Sequence, residues 1–185
     1  MECPRCGSEN AEEMRFCGSC GAPLAPSPPE RRQITVMFCD LVGSTSLAER
    51  LDPEEFRQVL RSYQEAGVEV IARFGGYIAR YIGDGLLIYF GYPQAHGDDA
   101  RRSVHTALDI VKAIQHLDAR WREEKGLELA VRIGIHTGLV VVGEMGGGAK
   151  REPIAVGETP HLAARLQGLA KPNTVVISAD THRLV

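Results

Sequence analysis

The fold of this chain is decided by the segment Phe38-Cys39-Asp40-Leu41-Val42-Gly43-Ser44-Thr45. An apolar run over residues 34–38 leads into it and predicts a buried strand, and a long amphipathic helical pattern follows it. The segment therefore places a carboxylate at a strand end and small residues at a helix start. Such a corner can hold a divalent metal on Asp40 and phosphate oxygens on backbone amides. A helix cap would explain the same residues, so the segment alone leaves both interpretations open.

Length, composition and charge narrow the class of protein. The 185 residues predict one domain with an appendage, and an apolar fraction of 44% is ordinary for a globular protein. The net charge of −3 provides no basic field, which argues against nucleic acid or an anionic membrane as a partner. No apolar run approaches the roughly 20 residues that span a bilayer. The N-terminus lacks the basic and apolar regions of a signal peptide, so we expect a cytoplasmic protein.

Four of the five cysteines form two Cys-x-x-Cys pairs near the N-terminus, Cys3 with Cys6 and Cys17 with Cys20. Four thiolates in two close pairs suit one tetrahedral zinc ion, and disulfides are the competing interpretation. A segment this short has almost no core, so the metal would supply its folding energy, on the order of 10 kcal/mol. Residues 1–21 resemble the short zinc ribbons found at the front of many bacterial proteins. This resemblance implies the metal but identifies no partner, and the class of partner that we expect for the ribbon is a protein.

A proline-rich segment separates this ribbon from the rest of the chain. Residues 22–32 contain four prolines within seven positions, which predicts a stiff, extended linker. The main domain is predicted over 33–185. Three consecutive glycines at 146–148 lack the Gly-Lys-Ser/Thr ending of a phosphate-binding P-loop.

The main domain alternates strand and helix patterns. Its first half predicts a strand over 33–39, a helix over 53–74 with Asp52 as its N-cap, and a hairpin that turns at Gly83-Asp84-Gly85. A second long helix is predicted over 98–124. The second half predicts strands over 129–136 and 139–143 turning at Thr137-Gly138, a strand over 153–156, a helix over 160–170 and a strand over 174–177.

This order predicts an α+β, ferredoxin-like (split β-α-β) fold, with an antiparallel sheet and helices on one face. In that arrangement the first strand lies beside the hairpin, so Asp40 and Asp84 converge at one edge. Adjacent carboxylates repel each other unless a cation neutralises them. A pair of metal ions, typically about 3.5–4 Å apart, provides such a cation. Together, Asp40 and Asp84 therefore favour a metal site over the alternative in which the first segment only caps a helix and Asp84 is only a turn residue.

Four motifs resemble the class III nucleotide cyclases in order and spacing. They are Phe38 to Thr45, Ile82-Gly83-Asp84-Gly85, Arg132-Ile133-Gly134-Ile135-His136-Thr137-Gly138, and Val156-Gly157-Glu158-Thr159 with Leu162-Ala163-Ala164-Arg165-Leu166. The resemblance covers about residues 33–185. It implies synthesis of cyclic AMP or cyclic GMP from ATP or GTP, with ATP expected, and release of pyrophosphate. It also implies two Mg²⁺ or Mn²⁺ ions per site and a homodimer, in which one protomer supplies the metals and the other an arginine.

The resemblance assigns a role to each matching position. Asp40 and Asp84 would bind the metals, with the carbonyl of Leu41 as a further ligand. Arg165 would stabilise charge on the α-phosphate, a task suited to a planar and always-charged guanidinium. The phosphates would be contacted by the amides around Val42, Gly43, Ser44 and Thr45.

Three positions depart from the family pattern. Arg80 stands where a lysine reads adenine, Ile154 where an aspartate or threonine binds the base, and His161 where an asparagine orients the ribose. The family domain also continues beyond this point, so the domain is expected to be short at its C-terminus. These departures keep an alternative open, a weak or inactive cyclase-like module for nucleotide sensing or dimerisation in a larger regulator. A zinc-ribbon adaptor is the third hypothesis.

Overall fold

A computed structural model describes residues 1–3, 5–22, 24, 30–145 and 152–185, without the side chains of 144–145 and 152–154. The predicted glycine run and most of the predicted linker lie outside these residues. The elements in chain order are β1 (Glu30–Leu41), α1 (Ser44–Arg50), α2 (Pro53–Arg73), β2 (Tyr77–Ile82), β3 (Gly85–Phe90), α3 (Asp99–Lys125), β4 (Val131–Met145), β5 (Glu152–Val156), α4 (Glu158–Leu169), β6 (Thr174–Ile177) and α5 (Ala179–His182). The predicted α+β class is confirmed.

A single sheet runs through the domain in the order β2-β3-β1-β4-β5, and β6 also pairs with β4. The central strand β1 is antiparallel to both β3 and β4. The edge of β4 that faces away from β1 pairs with two strands, β6 near Arg132 and β5 near Val141. Between those strands, the Ser178 N–H and the Thr159 hydroxyl donate to the β4 carbonyls of Ile135 and Leu139. Loop and helix residues thus cover the interval that no strand pairs.

Helices cover both faces of the sheet, which corrects the prediction that they lie on one face. Met37 and Cys39 of β1 belong to the large buried cluster that α2 and α3 close. Ile34 and Val36 belong to a second cluster, which contains Ala163 of α4. Successive side chains of a strand point to opposite faces. Because β1 has apolar side chains on both faces of the sheet, helices must cover each face to bury them.

The predicted turn at Thr137-Gly138 is wrong, because β4 is continuous and pairs with β1 from Val131 to Val142. Thr137 lies inside the sheet, where its hydroxyl is 2.9 Å from the hydroxyl of Thr35 on β1. Gly138 permits a close approach, since a Cβ there would lie 2.6 Å from the Thr159 hydroxyl oxygen. The dipeptide has turn-like composition, but tertiary packing explains both of its residues.

Most other predicted elements are confirmed, with shifted ends. β1 begins at Glu30, three residues before the predicted start, and the hairpin turns at Gly83-Asp84 as expected. Asp52 is the N-cap residue of α2, although its side chain makes no capping hydrogen bond. Among the described helices, none is both long and apolar enough to cross a membrane.

Candidate functional site

The two predicted metal-binding carboxylates lie together. Asp40 is the penultimate residue of β1, and the β1–β3 pairing of Cys39 with Leu86 brings it beside the hairpin turn. A Cβ on Gly85 would lie 3.2 Å from Asp40 Oδ1, so the glycine leaves room for the carboxylate. Asp84, in the turn before Gly85, interacts with Asp40 through both charge and hydrogen bonding.

The electrostatics of this pair favour a bound cation. Burial, the charge of Asp84 and hydrogen bonding to it raise the pKa of Asp40 from 3.8 to about 6. The guanidinium of Arg132 and the Leu41 N–H act in the opposite direction but do not outweigh these effects. Asp84 Oδ2 is buried without a hydrogen-bond partner in the described part of the chain. Such orphaned acceptors are uncommon in folded proteins, and a divalent cation would satisfy both carboxylates.

The segment after Asp40 turns from β1 into the seven-residue helix α1. Gly43 adopts a left-handed conformation with φ of 68°, which favours glycine. The Val42 N–H donates to the Ala130 carbonyl at 2.8 Å, so this amide is already engaged. The first N–H groups of a helix have no intrahelical partner, which leaves the amides of Ser44 and Thr45 as the phosphate-binding candidates. Leu41 ends β1 with its side chain buried.

Arg165 and His161 form a second group, away from the carboxylates. Both are exposed on α4, one turn apart, and they line a surface pocket with Val156, Gly157, Glu158 and Leu162. Gln167 of the same helix instead contacts Asp40. Two positions along a helix correspond to a rotation of about 200°. Arg165 therefore points away from the Asp40 of its own chain.

The two positions expected to read the base lie on β2 and β5, the first and last strands in the sheet order β2-β3-β1-β4-β5. Arg80 is exposed on β2, and its charge acts on the Tyr89 phenol, whose pKa is raised chiefly by burial. The Tyr89 hydroxyl accepts a hydrogen bond of 3.3 Å from the Ala155 N–H. Ile154 precedes Ala155 in β5 and pairs with Gly143, but its side chain lies outside the described residues.

Two residues of the site, Arg132 and Gln167, had no role predicted for them. Arg132 lies opposite Asp40 in the β1–β4 register, and its Nε is buried without a hydrogen-bond partner among the described residues. Arg132 lies in the predicted strand 129–136, but the pairing that sets it opposite Asp40 was not predicted. Gln167 Nε2 lies 3.5 Å from Asp40 Oδ2. No local sequence signal distinguishes it from other helical glutamines.

The four N-terminal cysteines form a compact cluster in which all four sulfurs lie within 4.8 Å of one another. The Cys3–Cys20 and Cys6–Cys17 sulfurs are 3.7 and 3.6 Å apart. A tetrahedral zinc site with bonds of about 2.3 Å requires sulfur separations of about 3.8 Å. Backbone N–H groups of Cys20 and Ser19 lower the pKa of Cys17 to about 6, which favours a thiolate.

Comparison with known families matches both parts of the chain. The model of the adenylate and guanylate cyclase catalytic domain matches residues 27–185. The model of a zinc-ribbon domain matches residues 3–24.

Curated relatives and solved structures agree with these matches. Adenylate cyclase 2 of Rhizobium meliloti (strain 1021) is 33% identical over 84% of this chain, and 42% of that protein is covered. The adenylyl cyclase CyaB from P. aeruginosa superposes with a TM-score of 0.82 at 29% identity, covering 85% of this chain and 82% of that chain. The guanylyl cyclase Cya2 gives 0.81 at 34% identity, covering 84% and 79%. The chain spans less than half the length of the first curated relatives. It belongs to the adenylate and guanylate cyclase catalytic domain family and carries a zinc-ribbon domain at its N-terminus.

Proposed function

We propose that this domain converts ATP to cyclic AMP and pyrophosphate, at a site that two copies of the chain share. The observation that carries the proposal is the Asp40–Asp84 pair with its orphaned buried oxygen. In this reaction the ribose 3′-oxygen forms a bond to the α-phosphorus, and the bond from that phosphorus to the bridging oxygen of pyrophosphate breaks. The chemistry requires groups that hold cations, orient phosphates and stabilise negative charge.

Asp40, Asp84 and the carbonyl of Leu41 would hold the metal ions. Two divalent ions, Mg²⁺ or Mn²⁺, would lower the pKa of the attacking hydroxyl and neutralise the triphosphate. Arg132, opposite Asp40, adds a fixed positive charge at the same edge of the sheet. The amides of Ser44 and Thr45 would bind phosphate oxygens at the start of α1.

A second copy would complete the site, because Arg165 faces away from the carboxylates of its own chain. In a symmetric dimer an isologous contact creates two equivalent sites. Each would combine the carboxylates of one protomer with the Arg165 of its partner, which would stabilise charge on the α-phosphate. His161, one turn before Arg165, would lie near the ribose, where a neutral imidazole can still donate or accept a hydrogen bond.

The preference for ATP rests on the names of related proteins. The guanidinium of Arg80 offers only donors, and both bases present acceptors, the ring nitrogens of adenine and the O6 and N7 of guanine, so Arg80 does not distinguish them. The Rhizobium and Anabaena relatives are named adenylate cyclases, which supports ATP as the substrate. The family also contains guanylate cyclases of similar identity, so both triphosphates belong in the assay.

The N-terminal cluster would hold one structural Zn²⁺ through Cys3, Cys6, Cys17 and Cys20. The Cys3–Cys20 and Cys6–Cys17 sulfur separations of 3.7 and 3.6 Å are close to those of a tetrahedral zinc site, and all four sulfurs lie within 4.8 Å of one another. The ribbon would then present a rigid surface to a protein partner. Because the net charge of the chain is −3, nucleic acid is the less suitable ligand.

The test is product formation by the purified chain with Mn²⁺ and either ATP or GTP. We expect cyclic AMP from the wild type and at least a hundredfold less from Asp84→Ala. Asp84→Ala and Arg165→Ala should each be inactive alone but recover activity when mixed. Random exchange would restore about a quarter of the wild-type rate, since half the dimers carry one intact site of two. No product from the folded wild type would contradict catalysis and favour the sensing module.

A further inference from the structure

Gln167 of α4 makes a direct contact with the predicted metal-binding carboxylate. Its side-chain Nε2 donates to Asp40 Oδ2 at 3.5 Å, and the glutamine is half-buried against the sheet. This distance is long for a hydrogen bond. The contact is therefore a weak hydrogen bond.

The packing of α4 on β4 fixes where Gln167 lies. A Cβ on Gly134 would be 2.7 Å from Gln167 Cα and would also collide with the Gln167 nitrogen and the Ala163 carbonyl. The absence of a side chain at Gly134 therefore brings the backbones of helix and strand together. Arg132 lies two residues before Gly134 on the same face of β4 and is opposite Asp40. This close approach places Gln167 over the Asp40–Arg132 pair.

A neutral amide suits this position. An ionised carboxylate offers about four acceptor sites, so one amide donor leaves room for a cation on the others. The amide adds no charge that would compete with the metal, whereas Arg132 already supplies one positive charge nearby. Hydrogen bonds to ligating carboxylates typically change metal affinity by about 10- to 100-fold.

We infer that Gln167 is a positioning residue, which holds the Asp40 carboxylate in the orientation that binds the metal. The inference rests on the proposed function, because it assumes that Asp40 is a metal ligand. Opposite sides of α4 then act in two different sites. Gln167 positions a carboxylate of its own chain, and Arg165 contributes its charge to the site that contains the partner's carboxylates.

The decisive variant is Gln167→Met, which keeps the length of the side chain and removes the donor. The matched control is Gln115→Met, at an exposed position of α3. Binding of Mn²⁺ alone is measured from the free-ion EPR signal. We expect Gln167→Met to bind about tenfold more weakly than the wild type. Gln115→Met should bind like the wild type. Equal binding by Gln167→Met and wild type would overturn the inference, as would a folded wild type that binds no Mn²⁺.

The Mn²⁺ dependence of product formation separates positioning from a general structural role. In Gln167→Met the half-saturating Mn²⁺ concentration should rise about tenfold, while kcat at saturating Mn²⁺ stays within twofold. A loss of kcat that excess Mn²⁺ does not restore would contradict positioning. If Gln167→Met does not fold, Gln167→Ala provides the same comparison with the residue of highest helix propensity. Failure of the proposed function is distinguishable, because it abolishes wild-type product whatever the EPR result.

Discussion

Asp40 of β1 and Arg132 of β4 lie directly opposite each other in the sheet, with Asp84 on the hairpin beside them. The single guanidinium of Arg132 therefore faces two carboxylates. Arg132 lowers the pKa of Asp40, but burial and the charge of Asp84 raise this pKa by more, so that it is about 6. In the absence of metal, an ionised Asp40 is consequently a source of instability at neutral pH.

Asp40→Asn should stabilise the metal-free protein at neutral pH. The pKa of Asp40 is about 6 in the folded state against an ordinary 3.8, so the folded state binds the proton more tightly than the unfolded state. Stability then falls as pH rises from about 4 to 6, and the full penalty persists above that range. Because the carboxylate is only half-buried, we expect a gain on the order of 1 kcal/mol for Asp40→Asn at pH 7.5.

Urea unfolding in EDTA at pH 7.5 and pH 4 measures this gain. The difference between variant and wild type should shrink at the lower pH, because folded Asp40 is protonated there and pH 4 lies close to the ordinary pKa of 3.8 that Asp40 has in the unfolded state. Adding Mn²⁺ at pH 7.5 should stabilise the wild type alone. A wild type that is the more stable protein in EDTA at pH 7.5 would refute the argument.

Arg132→Gln should shift the pH dependence of Mn²⁺ binding upward. Metal binding requires an ionised Asp40, and Arg132 favours that form. Removing the guanidinium should raise the midpoint of binding by roughly one pH unit. The measurement is free Mn²⁺ by EPR between pH 5 and pH 8. Arg101→Gln, at an exposed position of α3, is the control and should leave the midpoint unchanged. An unchanged midpoint in Arg132→Gln would mean that Arg132 does not act on the metal site.

Local signals were sufficient to predict the carboxylate pair. Asp40 follows an apolar run and Asp84 lies in a glycine-flanked hairpin turn, so topology alone brings them together. The continuity of β4 could not be predicted in this way. Thr137 and Gly138 are typical turn residues, and their actual roles depend on Thr35 and Thr159, which are distant in sequence. Gln167 was missed for the same reason, because its contact depends on how closely α4 approaches Gly134.

Cys17→Ser should remove zinc from the ribbon without destabilising the cyclase domain. Backbone N–H groups lower the pKa of the Cys17 thiol to about 6, which favours the metal-binding thiolate at neutral pH. Zinc content by mass spectrometry should fall from about one ion per chain to less than a tenth. Ser19→Ala is the control, because Ser19 donates to the Cys17 sulfur through its backbone N–H. Full zinc retention in Cys17→Ser would exclude the four-cysteine site, and a lower domain Tm would show that the two parts unfold together.

Gly134, under α4, and Gly168, on the exposed side of α4, should respond in opposite directions to substitution by alanine. A Cβ on Gly134 would collide with the backbone of α4, which cannot move aside as a side chain can. Gly134→Ala should therefore destabilise the domain by about 3 kcal/mol, the upper end for overpacking. Gly168, in the last turn of α4, has open space where a Cβ would lie. Gly168→Ala should stabilise the domain by about 0.5 kcal/mol, through helix propensity and reduced entropy of the unfolded chain.

Urea unfolding of both variants, with Mn²⁺ binding measured on the folded fraction, tests this packing. Gly134→Ala should also weaken Mn²⁺ binding, since lifting α4 withdraws Gln167 from Asp40, whereas Gly168→Ala should bind like the wild type. A Gly134→Ala protein of wild-type stability would show that α4 can shift at little cost. If Gly134→Ala loses stability but binds Mn²⁺ like the wild type, the metal site forms without the close approach of α4 to β4. The position of the helix would then not determine the orientation of Asp40.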